Sequence, residues 1–378
     1  MQQDCAAPFA PPSDEDDRYL RDIFPICRSA GITRLGDLTG LDRLGLPAAQ
    51  AVRPEALSEV TSLGRGKTLR QAAVGALMES MERVYAEVIP PARVFVATAD
   101  ALDLPPYVFD ALALPHRRQD WRGIETAWVL GLDVVGDVAM PVPLELVHTC
   151  YTEPPLPYDG LFYRTTTGLA CHSTAIGAFR HGLFECLERD AMARAFATHG
   201  FFDRMRLSPD QLGDDVGKQL VAAAGCGIKA AFWAPPSPAG IPVVWCQTIE
   251  TGEEAPLLGL PTEGYAAAPT FEQAASAALL EALVTRAAVI SGVRDDLTAT
   301  HYRQNQREII DKARRLIIDP ATAPRDTPKA PDLRSVRDIV ECIASRLGPV
   351  IAVPVGADGG IHCVRAVLAA GLPFVTVR

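Results

Sequence analysis

The stretch "ALMESMERV", Ala76 to Val84, reads as one face of a helix, and "GLFECLERD", Gly182 to Asp190, repeats its signature, Leu-x-Glu-x-x-Glu-Arg. Residues three and four apart share a helical face, so Glu79, Glu82 and Arg83 project together, and so do Glu185, Glu188 and Arg189. The register extends beyond the signature. Thr68 precedes Ala72 by four and Glu79 by eleven, and Thr174 with Ala178 and Glu185, and Thr270 with Ala274 and Glu281, repeat those steps. The third copy keeps Glu281 and Arg286 but has Val284 and Thr285 where the second Glu and the Arg stood. Thr68 with Gln71 and Thr270 with Gln273 have capping-box spacing, whereas Gly177 leaves Thr174 a simple cap. Helices are therefore expected over about 68–87, 174–199 and 270–293.

Strand-like text separates the helices. "GITRLGDLTGLDRLGLP", Gly31 to Pro47, alternates apolar residues with turn-formers, and "WVLGLDVVGDVAMPVPLELVH", Trp128 to His148, reads as two strands around Val135-Gly136-Asp137. More strands are expected at "IPVVWCQTIE", "VIAVPV" and "LPFVTV", a helix over 335–346, and a Pro-rich linker over 319–333. The pattern is a triplicated β/α unit, its period too long for a solenoid.

Composition narrows the function. The 378 residues carry a formal net charge of −10, which disfavours nucleic acid as a partner because phosphate-backbone binding needs clustered Lys and Arg. The acidic, Pro-rich start has no secretory pattern, and no run reaches the length of a membrane span, so a cytoplasmic protein with no membrane partner is expected. Nine cysteines include no CxxC pair, so neither a disulfide framework nor a zinc knuckle is indicated. Cys171 and His172 are neighbours on strand-like text and point to opposite sides, which disfavours a catalytic pair. His148, His181 and His301 read as structural or surface residues.

Taken alone, each Glu-x-x-Glu-Arg helix reads as a solvated face. If two such helices face each other, four carboxylates converge, and they repel unless protonated or neutralised by cations. Such oxygen ligands suit Mg²⁺, which bridges carboxylates to nucleotide phosphates. The preceding loop "TSLGRGKT", Thr61 to Thr68, lacks Walker spacing but offers Ser62, two glycines, the positive charge of Arg65 or Lys67 and a helix N-terminus to an anion.

These segments resemble the YcaO family. The carriers are Gly31 to Pro47, "SLGRGKTLRQAAVGALMESMER" from Ser62 to Arg83, "TTGLACHSTAIGAFRHGLFECLERDA" from Thr166 to Ala191, and "LLEALVTRAAVISGVRDDL" from Leu279 to Leu297. The resemblance implies an α+β, YcaO-like fold with internally repeated β/α units, over residues 31–378 after a disordered or extended lead, 1–30. It implies an enzyme without a P-loop that uses ATP and Mg²⁺ to phosphorylate a peptide backbone amide oxygen, after which a nucleophile adds to carbon and phosphate leaves. Glu79, Glu82, Glu185 and Glu188 are the implied metal ligands. Ser62, Arg65, Ser173, Arg189, Glu281 and Arg286 are the implied nucleotide contacts or their supports. Arg65 stands where the family usually has Lys, Ser173 where many members have Asn, Gly177 where an acidic residue often lies, and Val284 where Gln is common.

The resemblance further implies a peptide substrate and a homodimer. The text ends "GLPFVTVR" and not in the Pro-rich tail of many azoline-forming members, which resembles members that make thioamides with a TfuA-like partner or stand-alone members that make thiazoline or amidine links; thioamide or azoline formation in the biosynthesis of a ribosomally made peptide is implied. Thirty lead residues are too few for a leader-peptide recognition domain, so a separate partner protein is expected. A regulatory YcaO-like protein without chemistry is the alternative; a two-metal hydrolase lacks the His and Asp ligands it would need.

Overall fold

A computed structural model describes residues 14–251, 256–292, 307–318 and 326–375. Three antiparallel sheets carry the chain. The first is β1 (Arg34–Asp37), β2 (Ala48–Val52) and β3 (Thr61–Arg65), in that order. The second, six-stranded, is built from β4 (Phe95–Ala97), β5 (Thr126–Asp133), β6 (Val138–Pro143), β7 (Leu169–His172), β11 (Val350–Asp358) and β12 (Ile361–Leu368). Its order is β4-β5-β11-β12-β7, with β6 also on β5. The third is β10 (Thr262–Ala267), β9 (Val243–Glu250) and β8 (Ile228–Trp233).

Each sheet bears one of the three long helices: α2 (Leu69–Glu87) follows β3, α3 (Ala175–Phe196) follows β7, and α6 (Phe271–Ser291) follows β10. Thr68, Thr174 and Thr270 cap them, each accepting the N–H three residues on, as the shared register predicts. The Gln71 side chain takes the N–H of Lys67 and not that of the cap residue, so the first box closes one residue early. Ser335 and Asp338 make a complete capping box on α8 (Val336–Leu347).

Glycines let these helices lie directly on strand backbone. A Cβ on Gly64 would stand 1.8 Å from the Ala72 carbonyl oxygen, and one on Gly264 2.2 Å from that of Ala278. The small residues at the matching positions of the three copies therefore serve packing.

Two expectations change. The lead contains a helix, α1 (Asp14–Ser29), with Ile23 and Cys27 fully buried against the α2 core; its apolar spacing was masked by acidic residues and Pro25. The expected C-terminal strand "LPFVTV" has no strand in its described part. Leu372 donates its N–H to Asp190 Oδ1 and Phe374 packs on Phe196 and Tyr265, so the described part of the segment is held by side chains and pairs with no strand. The first part of the Pro-rich linker, 319–325, and His301 lie outside the described residues.

The remaining helices are α4 (Phe201–Arg204), α5 (Asp214–Gly225) and α7 (Arg307–Ile318). Among the described residues α6 alone is long and apolar enough to cross a bilayer, and its Ala274, Ala278, Leu279 and Ala282 are fully buried core residues.

Candidate active site

The first glutamate of each copy makes the same bond: it accepts a backbone N–H from its own preceding strand or loop. Glu79 takes Leu63 N at 3.0 Å, Glu185 takes Gly168 N at 3.0 Å, and Glu281 takes Tyr265 N at 3.3 Å. The second glutamate crosses to the next unit. Glu82 accepts from Cys171 N on β7 at 2.9 Å, and Glu188 from Ala267 N on β10 at 3.0 Å. At the third junction Val284, 1 % exposed, packs with Leu38 and Ala48, so α6 closes back on the first sheet. The three units form a ring, with the expected metal quartet at two of its junctions.

This placement is electrostatically costly. Burial pushes the Glu79 carboxyl up to about 6 and the Glu188 carboxyl up to about 8, against the pull of Arg83 and Arg189 respectively. Glu82 is raised well above the ordinary range, first by burial and then by the charges of Glu79 and Glu185. Among the described residues no three His, Cys, Asp or Glu side chains converge tightly enough to hold a metal by themselves. The quartet is an open set of carboxylates and not a closed cage.

The expected nucleotide contacts divide. Arg65 pairs with Glu281 at 3.2 Å across the junction of the third and first units, and Arg189 lies 3.6 Å from Glu185 and over the Tyr265 ring at 5.4 Å. Ser62 is buried on the α2 side of β3, and Ser173 is exposed, its hydroxyl 3.3 Å from His172 Nδ1. Arg286 is a correction. It is 1 % exposed and held by Asp42 at 2.8 and 3.1 Å and Glu250 at 2.8 Å. It stands one residue later in its copy than Arg83 and Arg189, a rotation of about 100° that aims it into the protein. Arg286 fastens the first sheet to β9 and does not face the carboxylates.

Cys171 is buried and His172 exposed, as the strand alternation predicts. The His172 ring accepts the Thr174 N–H and covers Gly177, where a Cβ would meet Nδ1 at 2.2 Å, so Gly177 is explained by packing. His148 is structural, bonded to Asp159 at 3.0 Å. His181, expected to be structural or on the surface, lines with Arg180, Phe184, Gln273 and Arg334 a cleft of about 770 Å³ between α3, α6 and the start of α8. Burial lowers its pKa, and it lies within electrostatic reach of Glu185, Arg65 and Glu281.

Such a fold and site define a protein of internally repeated β/α units whose facing helices present carboxylates without a P-loop. The model of the family described as YcaO cyclodehydratase, ATP- and Mg²⁺-binding, matches residues 63–370, and the chain belongs to the YcaO family. An uncharacterised protein of Methanothermobacter thermautotrophicus is 30 % identical over 354 residues, covering 89 % of each chain. An uncharacterised protein from the tfuA 3′ region of Rhizobium leguminosarum bv. trifolii is 30 % identical, covering 75 % of this chain and 69 % of that one. The YcaO of Methanopyrus kandleri, solved with AMPPCP and Mg²⁺, superposes with a TM-score of 0.68 at 21 % identity, over 94 % of this chain and 91 % of that one. The expected fold class is thus shown, and ATP and Mg²⁺ are the cofactors of the family.

Proposed function

We propose that the chain uses ATP and Mg²⁺ to phosphorylate the oxygen of a peptide backbone amide, making it a leaving group for attack by a nucleophile at carbon. The observation that carries this is the ring of glutamates. Glu79, Glu82 and Glu188 each spend one oxygen on a backbone N–H, which fixes the carboxylate, and have no protein partner at the other among the described residues. Mg²⁺ binds through one or two carboxylates plus phosphate oxygens and waters, so an open set suits it where a closed cage is unnecessary. When bound with ATP, Mg²⁺ would neutralise charge on the transferring phosphoryl group.

The chain's own residues then do the positioning. Glu79 and Glu82 hold one side and Glu185 and Glu188 the other, at distances fixed by strands β3, β7 and β10. Arg65 and Arg189, each beside a glutamate, orient the phosphates; Arg286 supports the first sheet from behind. His181, whose pKa burial lowers, lines the cleft within electrostatic reach of Glu185 and Glu281. The relative from the tfuA 3′ region supports thioamide formation with a TfuA-like partner.

The test is a thermal-shift titration with ATP, Mg²⁺ and both, on the wild type and on the double variant Glu79→Gln, Glu185→Gln. A ligand bound only by the native state raises the midpoint by linkage. The expected result is a rise with both ligands, little with Mg²⁺ alone, and loss of the rise in the variant. Equal responses in the two proteins would remove the metal assignment.

A further inference from the structure

A second polar cluster lies beside the glutamates and shares Arg83 with them. Along β12, Cys363 and Val367 belong to the core under α2, while Val364, Ala366 and Leu368 belong to the core under α3 and α8. Arg365 alternates with the first set and so projects to the α2 side. It stands opposite Leu169, two residues from Cys171, whose N–H donates to Glu82. Arg365 is 3 % exposed, and its Nη2 donates to Thr165 O at 2.7 Å.

Among the described residues Arg365 Nε and Nη1 have no partner, and neither do Arg83 Nε or the hydroxyls of Tyr151 and Thr149, all buried atoms. Arg83, Arg164 and Arg365 all act electrostatically on the Tyr151 hydroxyl, whose pKa burial raises, and Arg164 stacks over its ring at 5.8 Å. Two carboxylates pair with these three cations, Glu59, half-exposed on Arg83, and Asp159, shared between His148 and Arg164, and Arg83 also acts on Glu79 and Glu82. Arg365 has no carboxylate partner among the described residues. A buried, unpaired guanidinium is a costly group that natural chains keep for a ligand or remove. With Thr165, Thr167 and Tyr163 it also lines a largely apolar cavity of about 50 Å³, whose lining includes neither Arg83 nor Tyr151. The segment Glu153 to Tyr158, just after Tyr151, is exposed.

We infer that Arg83, Tyr151 and Arg365 form a binding subsite for a tetrahedral oxyanion of the phosphate class, adjacent to the glutamates and independent of metal. Three guanidinium nitrogens, carrying four N–H bonds, and one phenol O–H suit the several acceptors of such an anion. The identity of the anion rests on the proposed function. Once the amide oxygen carries the phosphoryl group, attack at carbon breaks the carbon–oxygen bond and the oxygen departs on inorganic phosphate, whose charge the arginines would meet.

The probe is inorganic phosphate, without Mg²⁺ or nucleotide, at ionic strength held constant with chloride. The wild type should show a saturable rise in melting temperature. Arg365→Met should weaken phosphate binding by about tenfold or more, the loss of a charged double donor, and Tyr151→Phe by a few-fold. If Arg365→Met fails to fold, Arg365→Lys and Tyr151→Phe carry the comparison. Equal phosphate responses in wild type and variants, or a response to acetate in place of phosphate, would overturn the inference. The Mg²⁺-ATP response of the wild type is read in parallel. Its presence without a phosphate response removes this subsite alone, and the converse removes the nucleotide reading alone.

Discussion

Two of the three junctions in the ring are made by a glutamate reaching to the next strand, and the third by a valine. Glu82 and Glu188 each accept one N–H and pay a burial penalty; Val284 packs at 1 % exposure with no polar group to satisfy. An apolar junction is thus available to this architecture. On the proposed function the first two, which stay polar, are the working part of the ring, and the third is its fastening.

The fastening should break first. Arg286 holds two buried carboxylates, Asp42 and Glu250, each 4 % exposed in its side chain. Arg286→Met takes from Asp42 its only ion-pair partner among the described residues, while Glu250 keeps Arg43 at 2.6 Å and the N–H groups of Leu257 and Leu258, and leaving one buried carboxylate unpaired in this way costs about 3 kcal/mol. Chemical denaturation should show a loss of that size. A change under about 1 kcal/mol would place the network among exposed pairs.

Val284→Glu makes the third junction resemble the other two in sequence but not in environment, because Leu38 and Ala48 offer no free N–H there. Burying the carboxyl without a partner should cost about 1–3 kcal/mol. Unchanged stability would mean that the third junction can open as the others do.

At the polar junctions the expected change is a gain. Glu188→Gln keeps an acceptor for Ala267 N and removes the ionisable group, so the ligand-free protein should melt higher at pH 8 while its Mg²⁺-ATP response shrinks. The same logic fixes a pH profile. Glu79, near 6, and Glu188, near 8, titrate above the ordinary glutamate value of 4.5. Between that value and 8 the native state holds protons the unfolded chain has released, so ligand-free stability should fall as pH rises through this window. The Mg²⁺-ATP shift should be larger at pH 8 than at pH 6. A flat profile would mean that the carboxylates are solvated.

The repeat was legible because it lay in side-chain identity at fixed steps: Thr68, Thr174 and Thr270, and eleven residues later Glu79, Glu185 and Glu281. Local chemistry sets both a cap and a helical face, so neither needed the tertiary structure. The direction of the second glutamates was not legible, since Cys171 N and Ala267 N come from strands brought close only by folding. Arg286 misled because a one-residue offset within a motif looks like conservation of function and is a change of face. Arg83 was visible in the motif, whereas Tyr151 and Arg365, 68 and 282 residues from it in the chain, carried no shared pattern.

The smallest expected effect tests whether the third unit takes any part in ligand binding. Arg65 and Glu281 form a pair at 3.2 Å with side chains 42 % and 24 % exposed, and such a pair contributes under about 1 kcal/mol to stability. Arg65→Lys keeps the charge but loses the planar fork that can serve Glu281 and a phosphate together. Melting temperature without ligand should therefore barely move, while Mg²⁺-ATP affinity falls by a few-fold, about 1 kcal/mol of a charge-assisted bond. If affinity holds and only stability drops, Arg65 belongs with Arg286 to the fastening. The ring would then bind its ligand through two units alone, the two that kept their second glutamate.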